Sequence, residues 1–511
     1  MQLGWTQHSL GAGEVEYRRF VPDAPANNTL IVGGQGTGKS TIAKAAAISD
    51  IENDKGLAYF TAKREDVHDL LRHMPQERLQ DVVIMDFAGA QEHPIGLNVC
   101  HNIPEARHAE MSKLIAGAFR ATYESMFEHS WGAQLQSYVL QASRLMLAAP
   151  EGTLLGIIYL LAHDEYRADM LAHCKAPAVQ KFWQIFYDEW MTDRDKRQNT
   201  LSTLNKFEPI VSDPLLANTL GQPKSSVSID WILKERKILL VCLDELDELQ
   251  TKILASLLLA LFHYHAHINV QRDATGHRVV ADELLHFSLY LDDAHRYMTT
   301  LLSTVLSTSS NTMLPIALVT PTLSQLSHQR EQILAACTAT VAFRLTDDDV
   351  RKLANKFEYT TDRDRDLATA PDFRAFYGCG TDTREVHSLL PDWSPQNGSI
   401  NAAYTIARDY YGRPKERIER HINKFINHLD TNASRKQNDG PKRGIRTSAR
   451  YKPRPKRRLP AGCSDKPGKP LTPAQRRAKT AEIAAIARRE NRQPGANTLR
   501  KIQPRKLRSK N

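Results

Sequence analysis

The chain has 511 residues, more than one hydrophobic core usually supports, so its length predicts two or three folded units. Hydrophobic residues make up 41% and charged residues 25%, the ordinary balance of a soluble globular protein with a sizeable core. The formal net charge is +10, but residues 431–511 hold about 25 Lys and Arg against about 4 Asp and Glu, which leaves roughly −11 for the remainder.

The sequence also argues against a membrane span, a signal peptide and a zinc site. The most apolar runs, at 154–162 and 253–262, are too short to cross a bilayer, and the first twenty residues lack the apolar core of a signal peptide. The six cysteines are scattered, without a CxxC pair or a histidine cluster at metal-ligand spacing. The sequence therefore predicts a cytoplasmic protein with reduced thiols, no intrinsic membrane span and no zinc site.

Apolar, β-branched runs bounded by turn residues occur first at 28–33, 56–61 and 81–87, with helical periodicity between them. Strands that alternate with helices indicate a parallel α/β sheet. From about 102 to 225 the periodicity is almost continuously helical, which indicates an all-α insertion. Further strand-like runs then complete the sheet, at 237–244, 287–293, 314–320 and 339–345.

This pattern predicts three regions. Residues 1–101 and 226–430 form a nucleotide-binding domain in two segments, and residues 102–225 form the inserted helical domain. In residues 431–511, Gly, Pro, Lys and Arg dominate, so this basic tail is expected to be mostly disordered. One helix is predicted within the tail, beginning near Thr472 and Pro473.

The segment "IVGGQGTGKST" ends the first apolar run and opens a helical pattern, which is the context of a phosphate-binding loop. Glycines let backbone N–H groups turn inward around an anion, and the helix N-terminus adds its positive dipole end. Lys39 would reach the β and γ phosphates of a nucleotide, and Ser40 would ligate magnesium. The alternative is a glycine-rich turn that binds nothing. The predicted nucleotide-binding residues are Gly33, Gly34, Gln35, Gly36, Thr37, Gly38, Lys39, Ser40 and Thr41.

An ATPase with such a loop needs a second strand that ends in a carboxylate for magnesium, followed by a residue that polarises the attacking water. Three predicted strands end in carboxylates: at Asp86, at Asp244 and Glu245, and at Asp292 and Asp293. Local pattern favours Asp244 and Glu245, because they have the usual Asp-Glu order. Strand order cannot be read from one sequence, so the residues alone leave the choice open.

Between about 28 and 360 the chain resembles the TraG/TraD-like coupling ATPases of conjugation and type IV secretion, within the HerA/FtsK superfamily of ring-forming P-loop motors. The resemblance rests on the phosphate loop, on "HMPQERLQDVVIMDF" followed by "PIGLN", and on the helical insertion. It continues with "ERKILLVCLDELD" before a long helix, then "LYLDDAHRY" and "IALVTPTLSQL".

This resemblance implies a RecA-like ATPase fold, ATP and Mg²⁺ as cofactors, and a homo-oligomer that forms a hexameric ring. It also implies that Asp292 holds magnesium beside Ser40 and that Asp293 is the general base, with Asp244 and Glu245 as the alternative pair. DNA and a relaxase or secretion-channel protein are the implied partners. Many members carry N-terminal membrane helices ahead of the loop; here a soluble variant is expected, held at the inner face of the membrane through partners.

The sequence departs from the family pattern at three functional positions. Members usually have Asp-Glu where this chain has Asp292 and Asp293, and the shorter carboxylate would stand farther from the attacking water. Ser310 lies near the expected place of an arginine offered to the neighbouring subunit, a group that can raise the rate by several orders of magnitude. Pro321 lies where the family has a γ-phosphate-sensing glutamine, and it cannot supply a side-chain hydrogen bond.

Several alternatives stay open. Arg330 or Arg344 could replace the missing groups, although each also suits a surface or strand-end charge. The basic tail, with Tyr451 as a stacking ring, suits sequence-independent DNA binding, but such tails also bind acidic proteins or anionic membranes. The leading hypothesis is a DNA-dependent motor ATPase. The alternatives are an ATP-gated, weakly hydrolysing binding or assembly protein, and a scaffold whose tail is the functional part.

Overall fold

Apolar and β-branched segments form the central strands of the computed structural model. The structure describes residues 1–11, 14–22, 28–189, 191–272, 278–280, 286–312, 314–353, 357, 367–388 and 400–439. All the strands predicted from the sequence are present. The strands are β1 (Trp5–Gly11), β2 (Glu14–Arg19), β3 (Asn28–Val32), β4 (Gly56–Thr61), β5 (Val82–Asp86), β6 (Ile238–Cys242), β7 (Val270–Arg272), β8 (Arg278–Val280), β9 (Phe287–Leu291), β10 (Ile316–Thr320), β11 (Ala339–Ala342), β12 (Arg374–Cys379) and β13 (Asp382–His387).

Most of these strands belong to one sheet, in the order β2-β1-β13-β12-β11-β3-β10-β9-β4-β6-β5, and β7 pairs with β8 in a separate ribbon. The strands from β11 to β5 run parallel, as the sequence predicts. The carboxyl ends of parallel strands lie along one edge of a sheet, so the residues that follow β3, β9 and β4 gather at the same edge.

Helices connect and cover these strands. They are α1 (Lys39–Glu52), α2 (Arg64–Arg72), α3 (His108–Met126), α4 (Ala133–Ala148), α5 (Gly156–Ala162), α6 (Asp164–His173), α7 (Pro177–Lys181), α8 (Asp193–Ser212), α9 (Pro214–Leu220), α10 (Ile229–Lys234), α11 (Glu248–Ile268), α12 (Thr300–Thr312), α13 (Arg330–Ala336), α14 (Asp347–Leu353), α15 (Ile400–Ile406) and α16 (Lys415–Asp439). Short π-helical segments follow α7 and α15, at Phe182–Glu189 and Ala407–Tyr411.

The sheet separates two hydrophobic cores. In β3, Leu30 and Val32 belong to one core and Ile31 to the other, as the alternation of side chains along a strand requires. Helix α1 packs into the Ile31 core through Ile42, and α11 packs into the opposite core. Because helices cover both faces, β3, β9 and β10 are entirely buried, which explains why they read as continuous apolar runs.

Residues 105–220, inside the segment predicted to be an insertion, are built from helices α3 to α9 with short 3₁₀ and π-helical pieces. Helix α3 contacts α11 and α12, so this segment shares a core with one face of the sheet. Phe119 of α3 and Leu258 of α11 belong to that core. The division into a two-segment nucleotide-binding domain and a separate helical domain stays a prediction.

The strands at the edge beyond β11 were not predicted. Strands β1, β2, β12 and β13 pair antiparallel, and segments such as "EVEYRR" and "DTREVH" carry many charged residues. Short strands with exposed faces lack the continuous apolar run that marks the buried ones. None of the helices in the described part of the chain is both long enough and apolar enough to span a membrane. The predicted disordered tail, including its helix near Thr472, lies outside the described residues apart from the end of α16.

Candidate nucleotide-binding site

The predicted phosphate loop joins the end of β3 to the start of α1. Gly36 and Gly38 have φ angles of 76° and 106°, in the left-handed region that glycine adopts most easily. Gly38 caps α1, whose first backbone N–H groups have no partners within the helix. Thr37 Oγ1 donates a hydrogen bond to the Gly34 carbonyl over 2.8 Å and closes the loop. Such a loop before a helix N-terminus is a nest for an anion.

Lys39 is the cation of this loop. Its side chain is buried, and Nζ donates to the Gly34 carbonyl over 2.6 Å. Burial lowers the pKa of Lys39, while the nearby carboxylates of Asp292 and Asp293 act in the opposite direction. An ammonium group with one carbonyl partner and a desolvated setting favours a multiply charged anion placed in the loop.

Asp292 follows β9 and meets the start of α1. Its Oδ1 accepts a hydrogen bond from Ser40 Oγ over 3.2 Å, and its Oδ2 accepts one from the Tyr59 hydroxyl over 2.9 Å. The side chain is buried, with 1% of its surface exposed. Burial and then the charges of Asp66 and Asp293 raise the pKa of Asp292 to about 6, against the two hydrogen bonds. A buried carboxylate with a raised pKa beside a serine hydroxyl is suited to binding a divalent cation.

Asp293 stands next to Asp292 but in a different environment. Its backbone is in the left-handed region, at φ 50° and ψ 38°, and its N–H donates to Asp292 Oδ1 over 2.9 Å. Its carboxylate pairs with Lys63, which follows β4, at 3.0 Å between Nζ and Oδ2. Burial lowers the pKa of Lys63, but the hydrogen bond and charge of Asp293 outweigh it, so the pKa is raised. The residue predicted to be the general base is therefore held by a lysine.

The alternative pair, Asp244 and Glu245, lies at a different place. The two residues follow β6, which β4 separates from β9. Asp244 accepts a hydrogen bond from the Arg64 backbone N–H over 3.2 Å, and Glu245 pairs with the Arg64 guanidinium at 2.9 Å. Arg64 also pairs with Asp86 at 2.8 Å. Asp86 and Glu245 thus form ion pairs with the Arg64 guanidinium, and Asp244 is hydrogen-bonded to the Arg64 backbone. The hydrogen bond to Ser40 is made by Asp292.

The positions where the sequence departs from the family pattern also find their place in the fold. Ser310 lies within α12, and Pro321 directly follows β10, the strand between β3 and β9. Arg344 follows β11; its carbonyl accepts the Gly34 N–H over 2.9 Å, and its guanidinium pairs with Asp372 at 2.8 Å. Arg330 begins α13.

Several residues of the site were missed at the level of sequence. Tyr59 and Tyr297 hold Asp292 through its side chain and its backbone carbonyl, over 2.9 and 2.8 Å. Lys63 stands two residues after a predicted strand, at the carboxyl edge of a parallel sheet. That position could have identified Lys63 as a candidate site residue. Phe373 and Ser388 contact the phosphate loop from the edge strands, and no sequence signal predicts them there.

The order β11-β3-β10-β9-β4, with a phosphate-type loop after β3 and a buried aspartate after β9, defines the class of this molecule as a RecA-like P-loop fold. The central strands, the loop and the following helix agree with the fold class predicted from the sequence.

Comparison with solved structures finds the same fold in the conjugative coupling protein TrwB. Its complexes with the GTP analogue GDPNP, with ADP and Mg²⁺, and with the ATP analogue ADPNP each give a TM-score of 0.51. Identity is 11% for the first and 12% for the other two, and each match covers 73% of this chain and 87% of TrwB. The predicted likeness to coupling ATPases is thus confirmed at the level of fold.

Sequence comparisons give less. A family model described as "Protein of unknown function (DUF815)" matches residues 14–86, from β2 through the phosphate loop to the end of β5. No curated protein matches the sequence.

Proposed function

We propose that the chain is an ATPase that binds ATP with magnesium and acts as a motor of the conjugative or type IV secretion class. The hydrogen bond between Ser40 and Asp292 carries this proposal, because it brings a helix-terminal hydroxyl and a buried carboxylate together beside Lys39. The fold shared with TrwB, which has been seen with ADP and Mg²⁺ and with an ATP analogue, supports it.

The residues fit the proposed cofactors. Magnesium prefers oxygen ligands and usually takes only one or two from the protein, keeping water and phosphate oxygens for the rest. Ser40 and Asp292 offer two such oxygens 3.2 Å apart. The positive φ angles of Gly36 and Gly38 and the buried ammonium of Lys39 fit a polyphosphate.

Each residue then has a role in phosphoryl transfer. The backbone of residues 33–41 and the ammonium of Lys39 would bind and orient the phosphate chain, and Ser40 and Asp292 would hold the metal. Bound magnesium would neutralise charge on the phosphate oxygens. The water oxygen bonds to the γ-phosphorus, and the bond to the bridging oxygen breaks so that ADP leaves with that oxygen. Asp293 orients the water and accepts its proton on a carboxylate oxygen, which requires Lys63 to release that carboxylate.

The proposal also includes the partners of this motor. We infer that the motor acts on DNA without reading its sequence, through phosphate contacts from the basic residues 431–511. A hexameric ring of identical chains would place a neighbour beside the γ-phosphate and supply groups that Ser310 and Pro321 do not. A relaxase or a secretion-channel protein is the expected protein partner, on the cytoplasmic face of the membrane.

Turnover by purified protein tests the proposal. ATP hydrolysis is measured with and without single-stranded and duplex DNA, for wild type and for Lys39→Ala. Wild type is expected to hydrolyse ATP faster with DNA, and Lys39→Ala to lose nucleotide binding. Equal inactivity of the two proteins, with no nucleotide binding by either, would contradict it.

A second function is favoured by one contact. The ion pair between Lys63 and Asp293 neutralises the proposed base. Pro321, which follows the neighbouring strand β10, offers no side-chain hydrogen bond where a sensing glutamine is expected. These features suit a protein that binds ATP and uses it as a gate for assembly or nucleic-acid binding, with slow hydrolysis. Micromolar ATP binding with little turnover would favour this function, whereas brisk DNA-stimulated turnover would exclude it.

A further inference from the structure

The order of the strands fixes which way a bound nucleotide must point. On one side of β3 lie β10 and β9, and Asp292 follows β9. The metal proposed at Asp292 would bridge the β- and γ-phosphates, so the γ-phosphate points to the side of β10 and β9. The α-phosphate, ribose and base therefore leave the loop on the other side, toward β11 and β12.

Phe373 stands on that other side, immediately before β12. Its backbone N–H donates to the Thr37 carbonyl over 2.8 Å. A Cβ added to Gly38 would lie 2.9 Å from Phe373 Cδ1, so the ring packs directly against the loop. Ser388 completes this contact, since its Oγ donates to the Gly38 carbonyl over 2.9 Å and its N–H to the Phe373 carbonyl over 2.8 Å.

The conformation and exposure of Phe373 are unusual for a phenylalanine. Its φ is 66°, a left-handed conformation that a bulky residue adopts only where its surroundings hold it. The side chain is 37% exposed even though one part of the ring lies on the loop. An aromatic ring fixed at the edge of an anion site and partly exposed to water offers an apolar surface.

We propose that Phe373 is the base-stacking residue of the site, on which the purine of a bound nucleotide rests. The inference rests on the proposed nucleotide binding and adds a determinant of affinity that lies outside the phosphate motif. Stacking uses the π face, which every base has, so Phe373 favours purines over pyrimidines by ring area and discriminates weakly between adenine and guanine.

The test compares ligands with and without a base. Affinities for ATP and for inorganic tripolyphosphate, each with magnesium, are measured by calorimetry on wild type, Phe373→Leu and Phe373→Trp in the full chain. Phe373→Leu is expected to weaken ATP binding about 5- to 150-fold, the usual effect of removing one base–aromatic stack, and to leave tripolyphosphate unchanged. Phe373→Trp is expected to keep ATP affinity. Phe127→Leu, a change at another exposed phenylalanine (56%), is the matched control and should alter neither.

The same measurements separate failure of this inference from failure of the proposed function. If wild type and Lys39→Ala bind neither ATP nor tripolyphosphate, nucleotide binding itself is wrong. If wild type binds both and Phe373→Leu binds both as tightly, the stacking role is wrong. If Phe373→Leu loses affinity for tripolyphosphate as well, the loop has been disturbed, and Phe373→Trp decides. Phe373→Trp that binds tripolyphosphate but has lost ATP affinity overturns the inference, whereas Phe373→Trp that keeps ATP affinity supports it.

Discussion

Asp292→Asn should make the nucleotide-free protein more stable and, at the same time, remove its response to ATP and magnesium. Asp292 is 1% exposed, and burial together with the charges of Asp66 and Asp293 raises its pKa to about 6. Above that pH the folded protein carries an ionised carboxylate that burial disfavours. Asparagine has nearly the same shape, keeps an acceptor for Ser40 or Tyr59, and removes the charge.

The size of the effect follows from the pKa. A tenfold change in proton affinity is about 1.4 kcal/mol, so a rise from the ordinary 3.8 to about 6 costs the ionised folded state at most about 3 kcal/mol. Because the folded pKa is the higher one, this cost is absent below pH 3.8, grows as pH rises to 6, and is constant above. The gain in free energy of unfolding for Asp292→Asn should therefore grow through the same window, to about 1–3 kcal/mol.

Stability is measured by denaturant or thermal unfolding between pH 4.5 and 8, with and without ATP and magnesium. Wild type gains stability from the ligands by mass action, whereas Asp292→Asn should not. Asp244→Asn is the matched control, since that aspartate contacts Arg64 and should leave the ligand response intact. A less stable Asp292→Asn protein at pH 8, a gain that does not vary with pH, or a retained response to magnesium and ATP would refute the reasoning.

Three further outcomes are expected. Asp293→Asn should lower kcat about 10²- to 10⁴-fold with ATP affinity retained, and Asp293→Glu should change kcat in either direction. If both variants hydrolyse ATP at the wild-type rate, the base is instead assigned to Asp244 and Glu245, and Glu245→Gln is the control for that assignment. Lys63→Met should free the Asp293 carboxylate and raise kcat several-fold, which is less than the roughly 10²- to 10⁴-fold contribution of a whole acid–base group. A slower enzyme would instead assign Lys63 to the phosphates. Deleting residues 441–511 should make the logarithm of DNA affinity fall less steeply with the logarithm of salt concentration, by about 0.9 in slope for each phosphate that the tail no longer neutralises. An unchanged slope would exclude the tail as the main DNA-binding segment.

The central sheet could be predicted from the sequence because its strands are buried on both faces. Such strands are apolar or β-branched at most positions, as in "TLIV" or "ILLVC", so they can be recognised without knowing which strands lie beside them. The edge strands β1, β2, β12 and β13 have no such requirement. Their identity depends on pairing between segments far apart in the chain, as when Trp5 stands opposite His387.

The same distinction applies to the site. The phosphate loop is a local motif, and its glycines and Lys39 were identified from a single segment. The contact between Ser40 and Asp292 joins residues 252 positions apart and depends on strand order, so the residues alone left Asp244 and Glu245 as an open alternative. Phe373, which donates to Thr37, stands immediately before β12, a strand that the sequence did not predict, so this contact is visible only in the fold.

Strand order also predicts that nucleotide binding and turnover can be separated by substitution. The groups proposed to hold a phosphate chain come from one continuous segment, residues 33–41, and from Asp292, which is hydrogen-bonded to Ser40. The groups that would act on the γ-phosphate come from the ends of β9, β4 and β10, where Asp293 is paired with Lys63 and Pro321 replaces a hydrogen-bonding side chain. Substitutions at those strand ends are expected to leave the loop, Lys39 and Asp292 in place, and so to change the rate of hydrolysis without loss of nucleotide binding. Substitutions at Lys39 and Asp292 should therefore change affinity, whereas substitutions at Asp293 and Lys63 should change kcat.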